Sequence, residues 1–352
     1  MNASKKKTRN KILLLLALIA AICFWQGYRM VFAPAISLPE GKNVYDFTIP
    51  TGASVNQIIE KLESETDLSS PLGLKILAKA AELENNIYPG LYTLSNDMSN
   101  KDLIILFRSA KRKSIKLRIG FGRFARDIIK SVAPKIEATE EELLALLGDS
   151  DYISNMGFSR YNIICLFLPD TYFFNWNTSA EKFFEKMLEE YVKFWNADRM
   201  AKVKELQKIY GENFNAKSIM TLASIIDQET NQNDEKDAIA GVYLNRLRIG
   251  MPLQADPTVK YALQDFDLKR IRSKHTAVNS SYNTYKNKGL PPGPICTASK
   301  AGIDAVLNYE KHKYLYFCAK PGYDGYHAFA PNFSEHLQNA RKYQRWLNSE
   351  GY

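Results

Sequence analysis

Apolar residues run without interruption from Ile12 to Trp25, preceded by Lys5, Lys6, Lys7, Arg9 and Lys11 and followed by Gln26-Gly27-Tyr28-Arg29 and then Met30-Val31-Phe32-Ala33. Roughly 20 apolar residues cross a bilayer. With Trp25 and Tyr28 as interfacial aromatics, the stretch predicts a transmembrane anchor over 12–33. The basic cluster places residues 1–11 in the cytoplasm and everything after the anchor outside it. A competing reading is a cleaved signal peptide ending at the small-residue match Ala33-Pro34-Ala35, although Pro34 makes that a poor cleavage site. A lipoprotein reading of Cys23 fails because the bulky Ile22 precedes it.

Beyond a juxtamembrane stretch containing Pro34, Pro39 and Gly41, Tyr45, Phe47 and Ile49 alternate with polar residues and predict a strand. Ser54 with Gln57 forms a capping box ahead of the apolar stripe Val55, Ile58, Ile59 and Leu62, so a helix follows. Ser70-Pro71 opens a second helix with proline at its first position. Pro89-Gly90 precedes a short strand, Leu91 to Leu94, and Ser99 with Asp102 caps a further helix carrying Leu103, Ile104, Leu106 and Phe107. Strand, helix, helix, strand is the order of a LysM-like module, assigned to 43–112. A plain α+β packing unit has the same order.

Residues 113–215 read as a central linking region. Lys111 to Arg126 is rich in basic residues, and Ile115, Leu117 and Ile119 alternate with Lys116 and Arg118 as a strand. Its charge marks either a solvated strand face beside a hinge or a contact with anionic lipid or wall polymer. Thr139 with Glu142 caps another helix, and Phe183, Phe184, Met187, Tyr191 and Trp195 form the core stripe of the helix that starts near Ser179.

Composition changes this picture little. The chain has 352 residues and a formal charge of +9, but the first eleven residues carry five positive charges, and the +4 left over does not suggest nucleic-acid binding. Of the four cysteines, Cys23 lies in the anchor; Cys165, Cys296 and Cys318 fit neither a disulfide framework nor a zinc site and read as small buried hydrophobes.

The chemistry concentrates in 216–352. Lys217 to Asn231 reads as a strong helix on which Ile219, Leu222, Ile226 and Glu229 share the apolar face. A carboxyl in apolar surroundings loses hydration of its charged form and holds its proton near neutral pH, as a general acid must. The alternative is that Glu229 sits at a fraying helix end and points into solvent; Asp227, at the edge of the stripe, is the rival acid. A second helix, from about Asp234 to Arg248, puts Ile239, Val242, Tyr243 and Leu247 in the core and Asn245-Arg246 near its end. Two polar, proline-stiffened loops follow, Leu253 to Thr258 and Tyr282 to Tyr285 running on to Gly289 to Pro294. The chain closes with a strand, Tyr314 to Ala319, the segment Gly325 to Phe329, and a helix containing His336. His327 and His336 lack metal-ligand spacing.

Taken together, Leu222-Ala223-Ser224-Ile225-Ile226-Asp227-Gln228-Glu229-Thr230, Val242 to Leu247, Leu253 to Thr258, Tyr282 to Tyr285 with Gly289 to Ile295, and Gly325 to Phe329 with Glu335-His336 resemble the MltG (YceG-like) family of endolytic murein transglycosylases. The resemblance covers essentially the whole chain. It implies an α+β fold made of an N-terminal transmembrane helix, a small LysM-like βααβ module and a mixed α+β catalytic domain over 216–352. It also implies Glu229 as the catalytic residue, followed by Thr230 in place of the Ser that follows it in other lytic transglycosylases. Many members carry Glu where this chain has Asp227, which favours Glu229 over Asp227.

The same resemblance implies cleavage between N-acetylmuramic acid and N-acetylglucosamine with 1,6-anhydro ends, ending nascent strands. Thr230, Arg246, Gln254, Asp256, Asn283 and Tyr285 would bind substrate or support Glu229. No metal or cofactor is implied, and the partners are glycan strands, peptidoglycan synthases and the cytoplasmic membrane. Two departures stand out: Ile164-Cys165 occupies the place of a Glu-Gly pair, and Ile295-Cys296-Thr297-Ala298 replaces an Asn-Pro-Gly-like turn. Two rivals remain, a non-catalytic wall-binding scaffold and a hydrolase pairing Glu229 with Asp227 or Asp256.

Overall fold

The computed structural model describes residues 2–322 and 324–350. Met1 of the expected 1–11 tail and Gly351-Tyr352 at the end of the expected 216–352 domain lie outside them. The chain separates into two compact units, one comprising Met1–Lys116, Lys135–Glu137 and Phe173–Ser179, the other Leu117–Pro134, Ala138–Tyr172 and Ala180–Tyr352.

The first unit begins with helix α1 (Asn2–Phe32), whose residues Lys6–Phe32 are long and apolar enough to cross a membrane. Ile12 to Ile22 and Phe24-Trp25 expose large apolar side chains along it. Its last turn is fastened to the rest of the unit: the Asn100 side chain donates to the Met30 carbonyl at 2.9 Å. Ala35 is buried, with its N–H on the Met98 carbonyl and its own carbonyl accepting from Ser69. Strand β1 (Val44–Ile49), helices α2 (Val55–Glu65) and α3 (Pro71–Ala80) and strand β2 (Gly90–Ser95) come next in the expected order. β1 and β2 pair antiparallel, Val44 opposite Ser95 and Ile49 opposite Gly90. Phe47, Ile49, Leu62, Leu94 and, from α4 (Asn100–Phe107), Leu103 and Phe107 close the core. Both α2 and α4 start on capping boxes, at Ser54–Gln57 and Ser99–Asp102. Each such cap is worth about 1 kcal/mol.

Strands β3 (Ser114–Ile119) and β4 (Asp170–Asn175) pair with one another and carry the chain between the units. In the second unit, α5 (Ala125–Val132) and α6 (Ala180–Phe194) bury Ile128, Ile129, Phe183, Phe184 and Met187. At its centre lies α7 (Ala216–Glu229), in which every residue from Ile219 to Ile226 is buried. The expected stripe is therefore too narrow. A helix apolar nearly all round belongs inside a layer of others, here α8 (Lys236–Arg248) and α10 (Lys300–Leu307), with α9 (Asp256–Leu263) beside it. Each fully buried Ile or Leu stabilises this centre by about 1.5–3 kcal/mol. A hairpin of β5 (Tyr316–Ala319) and β6 (His327–Ala330) and the terminal helix α11 (Phe333–Ser349) complete it.

Two expectations about local structure are corrected. The helix of Glu229 ends at that residue rather than at Asn231, because Thr230 turns extended. Asp256-Pro257-Thr258 opens α9 rather than lying in a loop: proline fits a helix's first turn, and Val259 and Thr258 bury beneath it. The departing stretch at 295–298 is buried throughout. Ile295 N–H donates to Ser224 Oγ of α7 at 3.1 Å, and Thr297 N–H donates to the Gly122 carbonyl at 2.8 Å.

Candidate active site

The end of a buried helix is an unusual place for a carboxylate. Two effects act on Glu229, the last residue of α7. Desolvation disfavours its charged form, and the negative end of the helix dipole acts in the same sense. Burial pushes its carboxyl up to about 7; the Tyr243 hydroxyl pulls it back down, nearby Asp256 raises it, and Arg246 and Lys260 lower it. Glu229 does end its helix, but its carboxylate is bonded by the Tyr243 hydroxyl rather than pointing into open solvent. The side chain keeps partial solvent access and faces a cavity of about 280 Å³.

Tyr243, on α8, donates its hydroxyl to Glu229 Oε1 at 2.6 Å. Its position on an apolar stripe suggested core, and it is indeed buried. A buried phenol requires a hydrogen-bond partner, however, and that requirement was the signal available in the sequence. Tyr243→Phe removes only the hydroxyl. It is expected to raise the titration midpoint of Glu229 beyond about 7, because a bond that favours the carboxylate is lost; infrared titration of the carboxyl band reads this directly, and an unmoved midpoint would refute the pairing.

Arg246 Nε donates to the Leu315 carbonyl at 2.6 Å and Nη1 to the Leu253 carbonyl, so one guanidinium pins two stretches of the cavity wall. Gln254, exposed at the rim, holds a positive φ of 52°, a region costly for a non-glycine residue and typical of functional loops. The loop is secured beneath it. Ala255 N–H donates to Thr284 Oγ1, which also meets Thr258 Oγ1 at 2.8 Å, and Gln254 N–H donates to the Thr284 carbonyl. Tyr285 donates its hydroxyl to Asp256 Oδ1 at 2.6 Å.

Glu229, Arg246, Gln254, Asp256 and Tyr285 thus line one cavity. Thr230 and Asn283 stand away from it, because each is occupied by its own turn. Thr230 accepts from the Gln232 N–H at 3.0 Å. Asn283, fully buried, donates to the carbonyls of Thr276 and Val278 and accepts from the Tyr285 N–H, which positions Tyr285. The remaining wall comes from Tyr243, Phe317, Cys318, Ala319 and His327, none of which sequence reasoning placed in the site. Cys318 is half-buried rather than buried. His327 Nδ1 lies 2.8 Å from Glu235 Oε2, and its backbone N–H donates to Glu235 Oε1.

Asp227, the rival acid, is otherwise engaged. Its Oδ1 accepts from Lys236 Nζ and from Ser299 Oγ, each at 2.7 Å, and Oδ2 accepts from Ser299 N–H at 2.6 Å.

A family model described as the YceG-like family matches residues 47–342. The chain is 28% identical over 324 residues to a protein of Bacillus subtilis (strain 168) named endolytic murein transglycosylase, with 86% of each covered. It is 26% identical over 366 residues to a protein of that name in Streptococcus pneumoniae serotype 2 (strain D39 / NCTC 7466), spanning 94% of this chain but 64% of that relative. Its fold resembles the crystal structure of a putative YceG-like protein from Listeria monocytogenes, with a TM-score of 0.54 and 27% identity, over 85% of this chain and 99% of that one.

Proposed function

Since the chain belongs to the YceG-like family, we propose that it is an endolytic murein transglycosylase in which Glu229 serves as acid and then as base. The observation that carries this is the Glu229 carboxyl at the end of a buried helix, held up to about 7 and open to a cavity. Ordinary glycosidases use two carboxylates; this reaction uses one twice. Protonated Glu229 gives its proton to the oxygen joining N-acetylmuramic acid to N-acetylglucosamine, and the bond to C1 breaks with oxocarbenium-like charge on the muramyl ring. The carboxylate then takes the proton of that sugar's 6-hydroxyl, and O6 closes on C1. The nucleophile is intramolecular, so proximity replaces an enzyme-held water. Tyr243 steadies the carboxylate between the two steps, and Gln254, Asp256 and Tyr285 face the sugars while Arg246 supplies positive charge nearby.

The need for a protonated acid sets the sign of the pH dependence. The free enzyme must hold that proton, so kcat/KM is expected to fall about tenfold per pH unit above about 7, the titration midpoint of Glu229. A rate that climbs across pH 7–9 would remove Glu229 from the role of acid. Product mass tests the reaction itself: uncrosslinked glycan incubated with the protein gives anhydro-ended fragments, whereas a hydrolase using Glu229 with Asp256 gives fragments heavier by one water, and a scaffold gives none.

The proposed setting is the cytoplasmic membrane, with residues 1–11 inside, 12–33 as a retained anchor and the remainder in the periplasm or extracytoplasmic space. The buried Ala35 and the tie from Asn100 to Met30 support retention, since the segment a signal peptidase would have to cut is part of a core. In this arrangement 43–112 meets wall polymer as a LysM-like module, 113–215 supports the 216–352 catalytic domain, and nascent strands are received beside a peptidoglycan synthase.

A further inference from the structure

A second cavity in the same unit, about 210 Å³, is lined by three arginines, Arg123, Arg126 and Arg160, together with Phe124, Tyr261 and Ile164 among its apolar walls. No carboxylate lines it, and none of the three arginines is matched with one among the described residues. Asp127, the nearest acidic neighbour in sequence, is occupied by the backbone N–H groups of Arg123 and Phe124. Like charges gathered over an apolar floor repel one another unless something neutralises them.

Each guanidinium rests against an aromatic ring, Arg123 partly buried and Arg126 and Arg160 exposed. Arg123 lies 4.0 Å from the Phe266 ring centre and donates to Gln228 Oε1 at 3.1 Å. Arg126 lies 4.4 Å over Phe124, and Arg160 is 4.8 Å over Tyr161 while donating to its hydroxyl at 2.6 Å. The N–H groups not spent on Gln228 and Tyr161 are left to bond an oxyanion.

The arginine cavity adjoins the Glu229 site through two helices. Gln228, which bonds Arg123, precedes Glu229 on α7. Helix α9 lines the Glu229 cavity with its first residue, Asp256, and the arginine cavity with Tyr261. Five residues of helix rise about 7.5 Å and turn by about 140° around its axis, so a polymeric substrate that engages both cavities has to pass around α9. Resting on the transglycosylase reading above, we propose that the arginine cavity is a second substrate subsite that takes an oxyanion carried by the glycan strand, either a carboxylate of a pendant peptide or the pyrophosphate of a lipid-linked end.

The test is equilibrium binding to the full-length chain carrying Glu229→Gln, so that no turnover intervenes, with three probes: strands bearing peptides, strands bearing a terminal pyrophosphate, and bare strands with neither. At least one oxyanion-bearing strand should bind about tenfold more tightly than bare strands, the worth of one charge-assisted hydrogen bond. Arg126→Ala with Arg160→Ala should erase that preference, and Arg126→Lys with Arg160→Lys should keep only part of it, because lysine restores the charge without the planar fork. Which probe shows the preference identifies the oxyanion. Equal binding of all three, or a preference that survives the double alanine change, overturns the subsite. Failure of the wild-type chain to release anhydro ends would instead overturn the transglycosylase reading and leave the binding preference to be judged separately.

Discussion

Glu229→Gln is expected to lower kcat for glycan cleavage by on the order of 10³-fold or more, with fold and membrane location retained. General acid–base catalysis by one positioned group contributes about 10²–10⁴-fold, and here the same group is needed for both proton transfers, so the loss belongs in the upper part of that range. Glutamine keeps an oxygen to accept from the Tyr243 hydroxyl, now 2.6 Å from Oε1, but offers no proton that it can give up and regain. Stability should move the opposite way. The carboxyl titrates near 7 in the folded chain against an ordinary value of 4.5, so between these values the folded state binds more protons. The stabilisation from that excess is complete below 4.5 and is lost as pH rises through 7. At pH 8 the folded wild-type chain therefore holds a desolvated charge that the glutamine variant lacks, and the variant should unfold at the same or a higher temperature. Mass spectrometry of products and thermal unfolding at pH 8 check both halves. Wild-type rates from the variant would reject Glu229 as the catalytic group.

Such a separation of function from stability was partly legible in the residues. Local signals read well. The capping boxes at Ser54–Gln57, Ser99–Asp102 and Thr139–Glu142 open helices where expected, since the pattern is complete within four residues. The spacing of Ile219, Leu222 and Ile226 placed Glu229 on the inner side of its helix. Features that depend on distant partners did not read. Tyr243 looks like any core tyrosine until the fold sets α8 against the end of α7. Asn283 carries the functional groups of a sugar ligand, but a tight turn engages its amide. His327 gains a place in the cavity wall only because β6 pairs with β5. The basic run from Lys111 to Arg126 admitted two readings; only the approach of Arg160 and Tyr261 to Arg123 and Arg126 makes a cavity of its last turn.

Asp227→Ala is expected to destabilise the second unit by about 3–5 kcal/mol, the cost of leaving a buried charge without its partner. Lys236 is that partner: its ammonium is 2.7 Å from Asp227 Oδ1, and the two side chains are only 7% and 10% exposed. Asp227 also accepts from the Ser299 backbone N–H and hydroxyl, at the cap from which α10 starts. Three helices therefore meet on one carboxylate, and Gly302 is small because a Cβ there would stand 2.7 Å from Oδ1. For a unit of this size the change should lower the unfolding temperature by roughly 6–20 °C. Adding Lys236→Met removes the stranded charge while preserving volume, and should recover most of the loss, since an apolar pair commonly matches or exceeds a buried ion pair. The double variant also decides what Asp227 does in the reaction. If this carboxylate only braces the helices, Asp227→Ala with Lys236→Met folds and still releases anhydro-ended fragments. If it were the second carboxylate of a hydrolase, the restored fold would be as inactive as Glu229→Gln.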